Sequence, residues 1–340
     1  MQIGIDSFVS TVTDPDTGVT LRPDERMANL LEEVEQADRS GLDTFGVGEH
    51  HREDFLDSAP SLILAAAAAR TEQIRLNSAV TVLSAADPVR VFQQFATLDL
   101  LSGGRAELVV GRGSFTEAFP LFGLALEDYD TLFAEKLDLL LRIRENPTVH
   151  WSGQHRAPLT GQGVFPRPVQ DELPVWVGVG GSPESFVRAG ALGLPLMVAI
   201  IGGEPRRFRP LVDLYREAAR RAGHAPEDLK VSIHVPGLIA DTTDEAADLF
   251  YPGYAQMFGR IGRERGFPPV TRAGYDATRG PTGALFIGDP ETVATKIVAV
   301  SEALGGIDRV TLQMTNERLA HRAMLRSIEL LGAEVKPLVR

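Results

Sequence analysis

Residues 49–51 read Glu-His-His and follow directly on the short run Phe45-Gly-Val-Gly. Imidazole is the side chain best suited to moving protons near neutral pH. Side chains on extended backbone alternate in direction, so one imidazole can face a ligand while its neighbour turns into the wall. Three readings stay open here. His50 could transfer a proton or contact a cofactor. Glu49 and His50 could bind a metal with a distant carboxylate, although the His-Glu-x-x-His helix of a zinc hydrolase is absent. Both histidines could also be ordinary surface or capping residues. A second group is Trp176-Val-Gly-Val-Gly-Gly-Ser-Pro-Glu-Ser. Gly180 and Gly181 leave backbone N–H groups unobstructed, Ser182 stands at an N-cap, Pro183 at the first helical position, and Ser185 one turn on. Such a helix start can cradle an anion, or it can simply join a strand to a helix. It is not a dinucleotide fingerprint, because the third glycine would fall on Pro183, and it lacks the lysine of a P-loop. The third group, Gly111-Arg112-Gly113-Ser114, sets a guanidinium between glycines. Its planar fork suits phosphate, or it could pair with a carboxylate such as Glu117.

Each group lies just beyond a short apolar run, which asks what architecture would gather them. Strands are expected at 2–8, 44–47, 74–83, 106–110, 175–179, 195–200, 230–240 and 309–313. Amphipathic helices are expected between them. In 24–39, for instance, Met27, Leu30, Leu31, Val34 and Ala37 share one face, and Gly41 stops the run. Asp87 followed by Pro88 marks another helix start. Eight strand–helix pairs imply parallel strands joined by crossover helices. Over this length a closed (β/α)8 barrel, or TIM barrel, with insertions at its C-terminal face fits better than an open sheet. Residues 1–340 read as a single domain. Two stretches break the pattern: 146–172, with a small hairpin and several prolines, and 263–287, rich in Gly, Pro and Arg. In a barrel, ligands meet the loops after the strands, where all three groups would lie.

Composition narrows the chemistry. The 340 residues carry a formal charge of 34 − 46 = −12, which argues against general affinity for nucleic acid or anionic membranes. There is no cysteine, so disulfides, thiolate metal sites and thiol nucleophiles are excluded. The first residues lack the layout of a signal peptide, and the most apolar stretch, 62–69, is too short to span a bilayer. A cytoplasmic location is expected.

Taken in order, several pieces of the sequence resemble the bacterial luciferase-like flavin monooxygenases. They are Gly48-Glu-His-His, Val80-Thr-Val-Leu-Ser-Ala-Ala-Asp-Pro-Val-Arg, Gln94-Phe-Ala-Thr-Leu-Asp-Leu-Leu-Ser-Gly-Gly-Arg, Gly111-Arg-Gly, Gly180-Gly-Ser-Pro-Glu-Ser and Gly288-Asp-Pro-Glu-Thr-Val-Ala-Thr-Lys-Ile. The resemblance covers nearly the whole chain and implies a (β/α)8 barrel. It implies that His50 is the active-site histidine near a flavin. It implies that Ala79 and Val80 pack against the isoalloxazine, often through a non-prolyl cis peptide. Arg112, Gly180, Gly181, Ser182 and Ser185 would hold the flavin phosphate. The chain departs from the family at two places. Glu127-Asp-Tyr-Asp replaces a stretch that carries a second phosphate arginine in some relatives. Gly111 replaces the luciferase cysteine, which argues against light emission. The implied activity is oxidation of a small organic substrate by dioxygen and reduced FMN. Phe115, Phe119 and Phe122 are candidates for the substrate pocket, and 115–126 and 263–287 for lids. No NAD(P)H-binding motif is visible, so a separate flavin reductase is expected to supply reduced FMN. A homodimer is also expected. The alternatives are a deazaflavin-dependent hydride-transfer enzyme and a non-catalytic flavin-binding protein.

Overall fold

A computed structural model describes residues 1–113, 115–266 and 268–339. Ser114, within the third chemical group, and Phe267, within the second irregular stretch, lie outside the described residues. Eight parallel strands form the barrel: β1 (Gln2–Ser7), β2 (Thr44–Val47), β3 (Arg75–Ser78), β4 (Ala106–Gly111), β5 (Val175–Val179), β6 (Leu196–Ala199), β7 (Val231–Ile239) and β8 (Arg309–Gln313). Each pairs with the next, and β8 closes on β1 with Ile3 opposite Val310. The expected third strand is interrupted. It runs to Ser78, and a two-residue continuation, Thr81–Val82, pairs with β4. Between them the Ala79–Val80 peptide is cis.

The helices start and stop where local chemistry places them. In Pro88–Ser102 the Asp87 carboxylate accepts from the backbone N–H groups of Val89 and Arg90. Gly103, at φ 65°, ends that helix in the left-handed conformation that favours glycine. The 146–172 stretch contains an antiparallel hairpin, Thr148–Trp151 with Leu159–Gly163, larger than the sequence suggested. It is held along helix Tyr129–Glu145. Trp151 Nε1 donates to Asp138 at 2.8 Å, and Glu135 accepts from the backbone of Gln154, His155 and Arg156.

The 263–287 stretch is less irregular than its composition implied. Helix Thr243–Arg265 reaches into it, and it contains helix Arg272–Arg279. Strand Phe286–Gly288 spans its end and pairs with the end of β7. Thr271 caps the short helix, and the buried Tyr275 anchors it by donating its hydroxyl to the Ala247 carbonyl at 3.0 Å. Tertiary anchoring therefore outweighs a Gly- and Pro-rich composition.

The barrel interior is filled below the site. Arg309 of β8 spans the axis to Glu107 of β4 with bonds of 2.7 and 3.1 Å, and lies 4.4 Å over the Trp176 ring. Burial alone would raise the Glu107 carboxyl, but Arg309 and Arg75 hold it below the usual carboxylate range. Above this floor Val109, Trp176 and Met197 pack together, with Val80 on top.

Candidate active site

On that apolar layer, at the C-terminal mouth of the barrel, sits a cavity of about 420 Å³. His50, Ala79, Val80, Arg112, Gly180, Gly181 and Ser185 all line it. Ser182 does not, but its hydroxyl accepts a hydrogen bond from the lining Arg112 at 3.1 Å. Residues far apart in sequence thus converge on one opening, as the strand ends require.

At one end, His50 is fixed by Asp57, which is fully buried. One Asp57 oxygen accepts from the His50 backbone N–H at 3.1 Å, and the other sits 2.8 Å from Nδ1. Burial pushes the Asp57 carboxyl above its ordinary range, against the pull of the bond to His50. With Nδ1 engaged by the carboxylate, Nε2 is left for the cavity. Phe8, Phe55 and Phe115 surround the imidazole at centroid distances of 4.7, 4.5 and 5.5 Å. His51 lines the same cavity. Its Nε2 lies 3.1 Å from Glu49, whose second oxygen accepts from the Val82 backbone at 3.0 Å. Glu49 is therefore a brace between His51 and the segment after the cis peptide. Among the described residues no three His, Cys, Asp or Glu side chains gather as a metal site needs.

The other end is polar. Ser182 has N-cap backbone angles, yet its hydroxyl makes no cap bond to the helix. It meets Ser185 Oγ at 3.0 Å and Arg112 instead, while the Ser185 N–H donates to the Ser182 carbonyl at 3.0 Å and Pro183 has no N–H to satisfy. A guanidinium, two hydroxyls and a helix N-terminus in one place suit a phosphate group. Arg112 is not paired with Glu117. Its ion-pair partner is Asp130, from the very stretch where the sequence departs from the family, and it lies 4.9 Å over Tyr129. Arg188, one turn beyond Ser185, leaves Nη1 buried without a protein partner. Burial, and then the charge of Arg112, lower its pKa.

Between the two ends lies an apolar shelf. Val80 projects so closely past its neighbours that a Cβ on Gly111 or Gly178 would lie 2.7 or 2.6 Å from a Val80 methyl. Side chains are excluded at both positions, which leaves a flat strip across the cavity floor. A planar ring with a phosphate-bearing tail matches this shape: shelf for the ring, cradle for the phosphate. The residues present fit FMN on these observations.

Sequence reasoning missed a second imidazole. His234, on β7, also lines the cavity, and its Nδ1 is 2.7 Å from the buried Asp6 of β1. The signal was available. His234 and Asp6 each interrupt an apolar strand, and a buried polar side chain requires a partner. Of the three phenylalanines considered for the substrate pocket, Phe115 lines the cavity. Phe119 is fully buried against Tyr129, and Phe122 is exposed, meeting the His51 ring edge-on at 5.1 Å.

Over the rim, Arg52 donates to Glu117 at 2.8 Å and to Glu264 at 2.6 Å, and lies 4.7 Å over Phe115. One guanidinium thus ties the loop after β2 to the loop after β4 and to the end of helix Thr243–Arg265. Glu117 and Glu264 belong to 115–126 and 263–287, the stretches expected to form lids.

Residues 3–306 match the luciferase-like monooxygenase family. The chain is 28% identical to 4-hydroxyprotoasukamycin monooxygenase of Streptomyces nodosus subsp. asukaensis, over 90% of this chain and 85% of that protein. Its fold superposes on monooxygenase RslO1 of Streptomyces bottropensis with a TM-score of 0.85 and 21% identity, covering 99% of both chains. It superposes on the oxygenating constituent of 3,6-diketocamphane monooxygenase of Pseudomonas putida, a type II Baeyer–Villiger monooxygenase solved with FMN, with a TM-score of 0.80 and 21% identity, covering 99% of this chain and 98% of that one. With its eight-stranded barrel and the His50–Asp57 pair at the mouth, the chain belongs to the luciferase-like monooxygenase family.

Proposed function

We propose that the protein is a flavin-dependent monooxygenase that uses reduced FMN and dioxygen to oxidise a small, largely apolar organic molecule. The observation that carries this reading is the single cavity joining an anion cradle, a flat apolar shelf and an oriented imidazole. Reduced FMN, when bound, supplies the electrons that let dioxygen react with an organic substrate. The chain does the rest. Ser182, Ser185 and Arg112 hold the phosphate, with Gly180 and Gly181 leaving the approach open. Ala79 and Val80 seat the ring. Asp57 fixes the His50 ring so that Nε2 can hold or deliver a proton where the substrate reacts. Phe8, Phe55 and Phe115 keep water from that nitrogen, and the Arg52 bridges hold the rim closed over it. No helix among the described residues is long and apolar enough to cross a membrane. A reductase that delivers reduced FMN, a homodimeric assembly and a cytoplasmic setting complete the proposal, on the family resemblance.

The test is incubation with reduced FMN, dioxygen and a chemically varied substrate panel, following oxygen incorporation by mass. Transfer of one oxygen atom to a panel member is expected. Tight flavin binding with no product across the panel would favour a carrier instead. Preferential binding of a deazaflavin, read from absorption spectra, would favour hydride transfer. Equal affinity for FMN and riboflavin would remove the phosphate role of the cradle.

A further inference from the structure

His234 and Asp6 form a third imidazole–carboxylate pair at the cavity, on the barrel wall rather than in a loop. His234 stands on β7 and Asp6 on β1, with β8 between them. Asp6 is 1% and His234 5% exposed, and the Nδ1–Oδ2 separation is 2.7 Å. The second Asp6 oxygen is buried with no hydrogen-bond partner, and so are the Asn77 carboxamide and Gln313 Nε2. Gln313 and Asp6 lie opposite each other in the β8–β1 register. Among the described residues Asp6 has no guanidinium or ammonium partner, and its polar side-chain partner is the imidazole. With Nδ1–H donating to that carboxylate, Nε2 presents a lone pair on the far side of the ring. His234 lines the cavity, so that lone pair is offered to a bound molecule. Phe8 separates the two imidazoles, stacking on His234 at 5.6 Å and tilting against His50 at 4.7 Å. The other charged or titratable groups among the described residues lining the cavity are Glu49, His51, Arg112, Glu117, Tyr129 and Arg207.

We infer that His234 is a substrate-binding base that recognises an acidic hydroxyl, and that the substrate class is a phenol or enol. The hydroxyl donates to Nε2 and its proton passes to the imidazole. The O–H bond breaks, an N–H bond forms, and the electron pair stays on oxygen as a phenolate or enolate. Asp6 stabilises the resulting imidazolium, as the carboxylate of a catalytic triad does. The anion is richer in electrons at carbon than the neutral hydroxyl compound, which suits attack on an electrophilic oxygen. The proton returns to the product. This division leaves His50 to the flavin side and His234 to the substrate side, and it rests on the monooxygenase reading only for what happens after ionisation.

The experiment follows 4-fluorophenol by 19F NMR with the full chain, with and without oxidised FMN, at a pH where the free phenol is neutral. Wild type is expected to show the phenolate shift on binding. His234→Gln retains an acceptor for the hydroxyl but takes no proton, so the bound ligand is expected at the neutral-phenol shift. Asp6→Asn, a second and nearly isosteric variant, is expected to give the same neutral shift. His50→Asn should leave the phenolate shift unchanged. A neutral ligand in wild type, no binding at all, a phenolate that persists in both His234→Gln and Asp6→Asn, or one lost only in His50→Asn, would overturn the inference. FMN affinity is measured alongside. Ionisation without FMN binding would sink the flavin reading alone, and FMN binding without ionisation would sink this one alone.

Discussion

Asp57→Asn tests most directly whether His50 is a poised proton carrier. The substitution is nearly isosteric at a fully buried position. The asparagine oxygen can still accept from the His50 backbone N–H, where Asp57 now does so at 3.1 Å. What changes is the group facing Nδ1, now 2.8 Å from a carboxylate oxygen. An amide NH2 there donates rather than accepts, so the ring must place its proton on Nε2 and turn a donor toward the cavity. A buried charge-assisted hydrogen bond contributes about 1.5–3 kcal/mol. If that stabilises the protonated ring only during the reaction, its loss slows oxygenation by roughly 10- to 150-fold, at about 1.4 kcal/mol per decade. FMN affinity should not move, because the cradle lies at the other end of the cavity. The assay is oxygenated product against released hydrogen peroxide, with 15N NMR of the imidazole to establish the tautomer. Undiminished coupled turnover in a variant whose tautomer has inverted would refute the reasoning.

Three further predictions use other parts of the molecule. Asp130→Asn frees Arg112 for phosphate; Asp130 is an exposed partner, so FMN affinity should rise by no more than roughly fivefold while riboflavin affinity stays level in parallel titrations. Gly178→Ala drives a methyl against Val80, where the gap would be 2.6 Å. Overpacking of this kind costs about 1–3 kcal/mol, so thermal stability should fall, and affinity for FMN and riboflavin should fall together, since both share the ring. His321 bonds Glu32 at 2.9 Å; burial works against its protonation, but Glu33 and Glu32 raise its pKa overall. Its contribution to stability is therefore full below its unfolded value of about 6.5 and is lost as pH rises through the higher folded value. Denaturant midpoints should decline across that window, and an unchanged decline in His321→Gln would remove the assignment.

Local groups were the legible part of the site. Gly180 to Ser185 carry their chemistry within one turn of chain, and His50 follows a recognisable strand end, so types and spacing sufficed. The barrel was legible because each strand is an apolar run of fitting length followed by a capped helix. Partners distant in sequence were not. Glu117 is the nearer carboxylate to Arg112 in sequence, but Arg52 claims it, and Asp130 on the facing helix takes its place. His234 and Asp6 are separated by 228 positions, and each alone resembles a stray polar residue in a strand. Phe119 and Phe122 differ in environment because a single turn, Ala118–Leu121, rotates them to different sides. Spacing alone could not choose which side faced the cavity.

The charged crossbeam from Arg309 to Glu107, with the guanidinium stacked on the Trp176 ring, has a consequence for traffic. Buried side chains fill the lower end of the barrel, as in a packed core rather than a pore. Coenzyme, organic reactant and product must therefore queue at one doorway, the same one that Arg52 bars. Arrivals and departures cannot be independent under that constraint. Whichever guest sits deepest came first and leaves last, so an excess of the outer guest should imprison the inner one and slow each cycle rather than speed it.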